Sequence, residues 1–149
     1  RYGYRAKEYD NLDELYIKSR TEGFGNEVKT RIILGTYFVS SANSKEYYNK
    51  ALRVRTLIKN DFDKAFKDYD IILTPTAPIL PFEANKKLPF EEKVRINAFT
   101  TPVNLAGICA LGVPTNPGEE TPVGLQIIGD RLKEINIIKA GLAFERMVK

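Results

Sequence analysis

The sequence predicts an α/β fold, a mixed central sheet covered by helices, and three observations predict it. Stretches with apolar residues three and four positions apart, the helical period, occupy the first half and the end of the chain. Three short runs rich in β-branched residues, "DIILTP", "ICALGVP" and "VGLQIIG", stand between them. Proline, glycine and aspartate bound those runs, so each reads as a strand between breakers. Helices that alternate with strands favour a sheet covered by helices. Three strands with four or five helices make an incomplete layer whose edges would stay open. The chain also opens at an arginine rather than a methionine. Both features lead us to expect a portion of a larger domain.

The elements follow in order. Asn11 stands where a helix N-cap is needed and Glu14 follows three residues later, the pattern of a capping box. This first helix is expected to run through about Arg20 and to end at the glycines of "EGFGN". A second helix spans Asn26 to Val39, because "EVKTRIILGTYFV" holds no breaker except Gly35. Val28, Ile32, Ile33, Leu34, Tyr37, Phe38 and Val39 leave little of its circumference polar, which predicts burial on most faces. Gly35 inside it costs about 1 kcal/mol relative to alanine, a cost acceptable where a backbone or a ligand packs close. Ser44 is placed to cap a third and longest helix, reaching about Tyr69. Its expected buried stripe is Tyr47, Ala51, Val54, Ile58, Phe62, Ala65 and Tyr69. The charges along it read as a solvated face.

At Asp70 the period changes from helical to extended, and "DIILTP" ends in the rigid, hydroxyl-bearing "TPTAP". Residues 78–90, with three prolines, form the longest loop. A helical segment from about Phe90 to Ala106 is expected, interrupted or restarted at Pro102. Two further strands are separated by the turn-rich "TNPGEETP", and a final helix runs from Leu132 to Val148.

Composition narrows the chemistry. The net charge of +4, from 23 basic and 19 acidic residues, is small and scattered, and fits a mixed solvated surface better than a nucleic-acid groove. With one cysteine, Cys109, no internal disulfide forms, which suits a reducing compartment. Cys109 follows Ile108 in a strand and reads as a small core residue. No apolar run approaches the roughly 20 residues needed to span a bilayer. The chain has no histidine, so it cannot assemble a Ser-His-Asp or Cys-His dyad by itself, and a zinc site would have a single cysteine and no imidazole. No glycine loop has the spacing, or the lysine, that cradles phosphate. Substrate positioning by arginine, hydroxyls and amides remains.

Arg31 is the most informative residue of that kind. It sits beside an almost wholly apolar helix face, where an unpaired charge is costly. It either pairs with a structural carboxylate or offers its fork to a substrate carboxylate, with Gly35 one turn away leaving room. Asn97 lies in a helical stretch among Ile96, Ala98 and Phe99 and is a satisfied buried amide, a surface residue or a ligand contact.

Four segments together carry a resemblance: "EGFGNEVKTRIILGTYFVSS", "YYNKALRVRTLIKNDFDKAFKDYDIILTPTAP", "TTPVNLAG" and "PVGLQIIG". They resemble the C-terminal part of the amidase-signature family, and within it the A subunits of the aspartyl/glutamyl-tRNA amidotransferases. The resemblance implies that residues 1–149 are the C-terminal portion of a single amidase domain, a partial amidase-signature fold. It implies a glutamine-hydrolysing amidase whose nucleophilic serine is activated through a second serine and a lysine. Ammonia released there would pass to a partner that converts Glu-tRNA(Gln), activated with ATP, into Gln-tRNA(Gln). The implied partners are the B and C subunits, glutamine and, through the complex, misacylated tRNA. ATP and magnesium would serve the whole enzyme, with no cofactor or metal in this chain, in a cytoplasmic setting without membrane contact. The serine–serine–lysine triad belongs to the family's N-terminal half. No catalytic residue is therefore expected here, and the isolated chain is expected to be inactive.

Two family positions carry over. Arg31 matches the arginine that binds the α-carboxylate of glutamine, and is expected to point into an open cleft. Asn97 falls where the amidotransferases have an aspartate that pairs with the α-ammonium, so the chain departs from the pattern there. "CALGVPTN" departs too, from a strand ending in Pro-Cys-Gly. The strand ending in "PTAP" lies on the active-site side in the family, and Thr74 and Thr76 would line the pocket or else cap and pack. The departures leave two other readings: a stand-alone amidase with a different amide substrate, and a non-catalytic interaction module built on the same half-fold.

Overall fold

The computed structural model describes residues 3–115, 118, 121 and 123–148, with Phe90 described by its backbone alone. Most of the "TNPGEETP" connection therefore lies outside the described residues. The chain divides into two compact units, Arg1–Leu52 and Arg53–Lys149.

In the first unit, α1 (Leu12–Gly23) starts as the capping box predicts. The Asn11 side chain accepts from the Glu14 N–H at 2.9 Å, while Glu14 reaches one residue further back and accepts from the Asp10 N–H at 2.6 Å. Lys18, one turn along, pairs with Glu14 at 2.8 Å. That partner first, and the Asp10 N–H second, hold the Glu14 carboxyl below its ordinary value, and Lys18 is raised in return. The residues before α1 lie against it. Ala6 is buried and donates its N–H to Ser19 Oγ at 3.0 Å, and the Tyr4 hydroxyl donates to Glu22, which raises the phenol's pKa. The second helix, α2, spans Asn26–Val39 with the predicted bounds.

Burial of α2 does not follow the prediction, for none of its residues is buried. Ile33, Val39 and Ile32 are 69, 55 and 51 % exposed. A helix apolar on nearly every face needs cover on nearly every face, and the described residues do not supply it. The stripe of α3 (Tyr48–Ala65) fares similarly. Ile58, Phe62 and Ala65 are half-buried, while Tyr47, Ala51, Val54 and Tyr69 are exposed. Helix α3 also starts later than a Ser44 cap predicts, because residues 41–47 form turns.

The second unit is built on a three-stranded sheet in the order β1 (Ile71–Pro75), β3 (Gly124–Gly129), β2 (Cys109–Pro114). Both pairings are antiparallel, with Ile72 and Ala110 flanking Ile128. The outer strands β1 and β2 therefore run parallel to each other. Helices α4 (Phe90–Ile96) and α5 (Thr101–Ala106) lie in the connection between them. The expected helix to Ala106 is thus two helices, broken over residues 97–100, with Pro102 in the first turn of the second, where its missing N–H costs nothing.

Strand β3 is central and is covered on both faces. Ile127 and Ile128, on opposite faces, are 1 and 2 % exposed. The face of Ile127 meets α6 (Glu134–Met147), which comes close because Gly129 and Gly141 have no side chains. A Cβ on Gly129 would lie 2.7 Å from Ile137 Cγ2, and one on Gly141 would lie 2.6 Å from Leu111 Cδ2. The other face, carrying Gly124, Gln126 and Ile128, receives the turn between α4 and α5. Among the described residues no helix is long and apolar enough to cross a membrane.

Candidate functional site

Strand β1 ends where the pocket-lining threonines were expected, and the two part company there. Thr74 lies opposite Gln126 in the ladder, is half-buried, and accepts from Gln126 Nε2 at 3.0 Å. Its hydroxyl packs into the sheet. Thr76 stands one residue past the strand, where its N–H (2.9 Å) and its hydroxyl (3.2 Å) both donate to the Gly124 carbonyl. It also lines a groove of about 320 Å³ with Ala77, Pro78, Phe82, Ile96 and Val123. The prolines fix φ along this loop, so the groove wall is stiff without ladder bonds.

Asn97 adjoins that groove through Ile96. It is exposed and occupies the C-cap of α4 (φ −94°, ψ 11°) rather than a helix interior. Its carbonyl accepts from the Thr101 N–H at 2.9 Å and from the Thr100 hydroxyl at 3.4 Å. A C-cap residue has left the helical stack, and its side chain is presented at the break between two helices.

Arg31, in the first unit, was expected to point into an open cleft and instead lies largely in solvent. Its side chain is 72 % exposed and pairs with Glu27 one turn earlier. Both Nε and Nη2 lie 3.0 Å from Glu27 Oε1. Exposed helix pairs of this spacing are worth about 0.3–0.5 kcal/mol. The grip on the guanidinium is therefore weak. At Gly35, one turn further on, a Cβ would meet nothing within 4 Å, so among the described residues no backbone packs close there, against the expectation for a helix-interior glycine.

Sequence reasoning overlooked Gln126. At 5 % exposure it is the buried polar side chain among the described residues, and both of its amide hydrogens are engaged, one by Thr74 and one by the Phe99 carbonyl at 3.1 Å. The signal was available as a lone amide inside the apolar run "VGLQIIG".

The amidase family profile matches residues 1–138. The chain belongs to the amidase family. It is 48 % identical over 146 residues to the A subunit of the glutamyl-tRNA(Gln) amidotransferase of Pediococcus pentosaceus, covering 97 % of this chain and 30 % of that protein. To the corresponding protein of Caldanaerobacter subterraneus subsp. tengcongensis it is 46 % identical over 150 residues, covering 100 % of this chain and 31 % of that protein. This amidase chain thus spans about 30 % of the length of the curated relatives it matches. The crystal structure of the A subunit of glutamyl-tRNA(Gln) amidotransferase from Thermotoga maritima aligns with a TM-score of 0.58 at 38 % identity, over 84 % of this chain and 28 % of that one. A crystal structure of an amidase aligns with a TM-score of 0.68 at 23 % identity, over 91 % of this chain and 32 % of that one, and supports the fold.

Proposed function

We propose that this chain is the C-terminal portion of the glutamine-hydrolysing A subunit of a tRNA-dependent amidotransferase. The single observation that carries this is 46–48 % identity along essentially the whole chain to relatives of that name. Arg31 takes the α-carboxylate of glutamine, exchanging the exposed Glu27 carboxylate for that of the substrate. Asn97 accepts a hydrogen bond from the α-ammonium, and Thr76 and the proline-stiffened loop wall the groove beside it. The serine–serine–lysine triad comes from the N-terminal part of the same polypeptide. Ammonia released there is used by the B subunit, with C as the third member of the complex, to amidate Glu-tRNA(Gln). ATP and magnesium act in that later step.

The test is glutamine hydrolysis by the complete polypeptide in its complex. Arg31→Lys keeps the charge but loses the two-pronged geometry. It should raise KM for glutamine by roughly tenfold, equivalent to about 1.4 kcal/mol. An unchanged KM would remove Arg31 from the site, and hydrolysis by the isolated chain would defeat the division of labour. Asn97 favours a second reading, an amidase for a different amide, because a neutral amide offers an ammonium only about half the bond strength of a carboxylate. Asn97→Asp should lower KM for glutamine. A wild-type enzyme that prefers amides lacking an α-ammonium would select this second reading.

A further inference from the structure

Gln126 is a polar side chain buried in the central strand. Its neighbours in β3, Ile127 and Ile128, are the most deeply buried side chains described. An amide taken out of water there is costly unless its donors are met, and they are met by two different elements. One hydrogen goes to Thr74 Oγ1, directly across the β1–β3 ladder. The other goes to the carbonyl of Phe99, which lies two residues beyond Asn97 in the break between α4 and α5. That break is internally bonded as well. The Asn97 carbonyl accepts from the Thr101 N–H at 2.9 Å, and the Thr100 carbonyl accepts from Asn104 Nδ2 at 2.9 Å. The turn is therefore a tied loop with a fixed shape, and the Gln126 amide fastens it to the centre of the sheet.

We infer that Gln126 is a positioning residue for the amidase site, holding the Asn97 turn at a set height above β3 beside the groove that Thr76 walls. The inference rests on the reading of Asn97 as a contact for the substrate's α-ammonium. Without the amide, the Phe99 carbonyl loses its partner on the sheet and the turn is free to lift, carrying Asn97 with it. Thr74 acts through Gln126 in this arrangement and makes no contact with substrate. Its removal leaves the Phe99 bond intact.

The experiment uses the complete polypeptide in its complex, with kcat and KM for glutamine measured alongside a thermal melt. Gln126→Leu keeps the volume and removes both donors, and should raise KM roughly tenfold while kcat stays within twofold. Thr74→Val should leave KM within twofold. In the Gln126→Leu background, Asn97→Asp should lose the KM gain it confers on the wild type. If Gln126→Leu fails to fold, Gln126→Asn, one methylene too short to reach both partners, takes its place with the same expectation. A lowered melting temperature with KM unmoved would show a merely structural amide and overturn the inference, leaving the Asn97 reading intact. Failure of Asn97→Asp to change KM in the wild type would instead overturn the Asn97 reading, and the inference with it.

Discussion

Replacing Gly124 with alanine tests how tightly the end of β1 is locked to β3. Gly124 is not among the glycines with positive φ, so its backbone accepts alanine, and the question is space alone. The added Cβ would stand 2.5 Å from Thr76 Oγ1, 3.0 Å from its Cγ2 and 3.3 Å from its Cβ. Carbon atoms settle at about 3.5–4.0 Å, so all three contacts are too close. Threonine is stiff at χ1, and rotation exchanges one crowded atom for another. The hydroxyl would have to leave the Gly124 carbonyl, losing a bond worth about 0.5–1.5 kcal/mol net. The side chain would also sit off its rotamer at a further 0.5–1.5 kcal/mol or so. Against this, alanine lowers the entropy of the unfolded chain by about 0.4–1 kcal/mol. The balance is a loss of about 1–2 kcal/mol, or roughly 4–16 °C in melting temperature for a unit of about 100 residues. Urea denaturation followed by circular dichroism measures it. In a Thr76→Ala background the crowding is gone, and the same alanine should be neutral or mildly stabilising. An equal loss in both backgrounds would refute the reasoning, because the two residues would then not be in contact.

Three further outcomes are expected. Ile127→Ala removes a side chain only 1 % exposed and should cost about 2–5 kcal/mol, and a shift of the urea midpoint worth less than 1 kcal/mol would contradict its place at the centre of the core. Leu132 is 89 % exposed with φ 57°. The left-handed conformation costs an L-residue about 1–2 kcal/mol, against about 0.5–1 kcal/mol for glycine's extra freedom. Leu132→Gly should therefore raise the melting temperature slightly, and a fall would refute the strain. The Glu14 carboxyl is held below its ordinary value in the folded chain. Its stabilisation of α1 is present above the unfolded value of 4.5 and is lost as pH falls through the lower folded one. The shift of the Asp10 amide proton, which donates to Glu14, should follow that titration in the wild type and lose that component in Glu14→Gln.

Local rules were legible in the sequence, and tertiary ones less so. The bounds of α2 and the N-cap of α1 came through because caps and breakers act within one turn of where they are written. The end of the first helix came late, at Gly23 rather than near Arg20, since the chain stays helical until the residue that favours stopping. Pro102 announced a discontinuity, and of the two readings, interruption or restart, the helix restarts there, with the break over the four residues before Thr101. A proline is harmless in a first turn, and the turn that precedes it does the breaking. Asn97 reads as part of a helical stretch, with a surface position among its readings; it is exposed, but as the C-cap of α4. Burial of α2 could not be read correctly, because periodicity says which faces want cover and not whether the same residues supply it. The two threonines of "LTPT" look alike in sequence, yet strand alternation and the Gly124 carbonyl send them to different tasks.

The Glu27 carboxylate, tethered four residues from Arg31, occupies its guanidinium in the structure. Both side chains are largely exposed and the pair is worth about 0.3–0.5 kcal/mol, so on the proposed role of Arg31 an incoming acid displaces Glu27 at small cost. Glu27 engages the fork through one oxygen alone. A free amino acid can present both of its oxygens, and so holds an advantage that a singly bonded anion lacks.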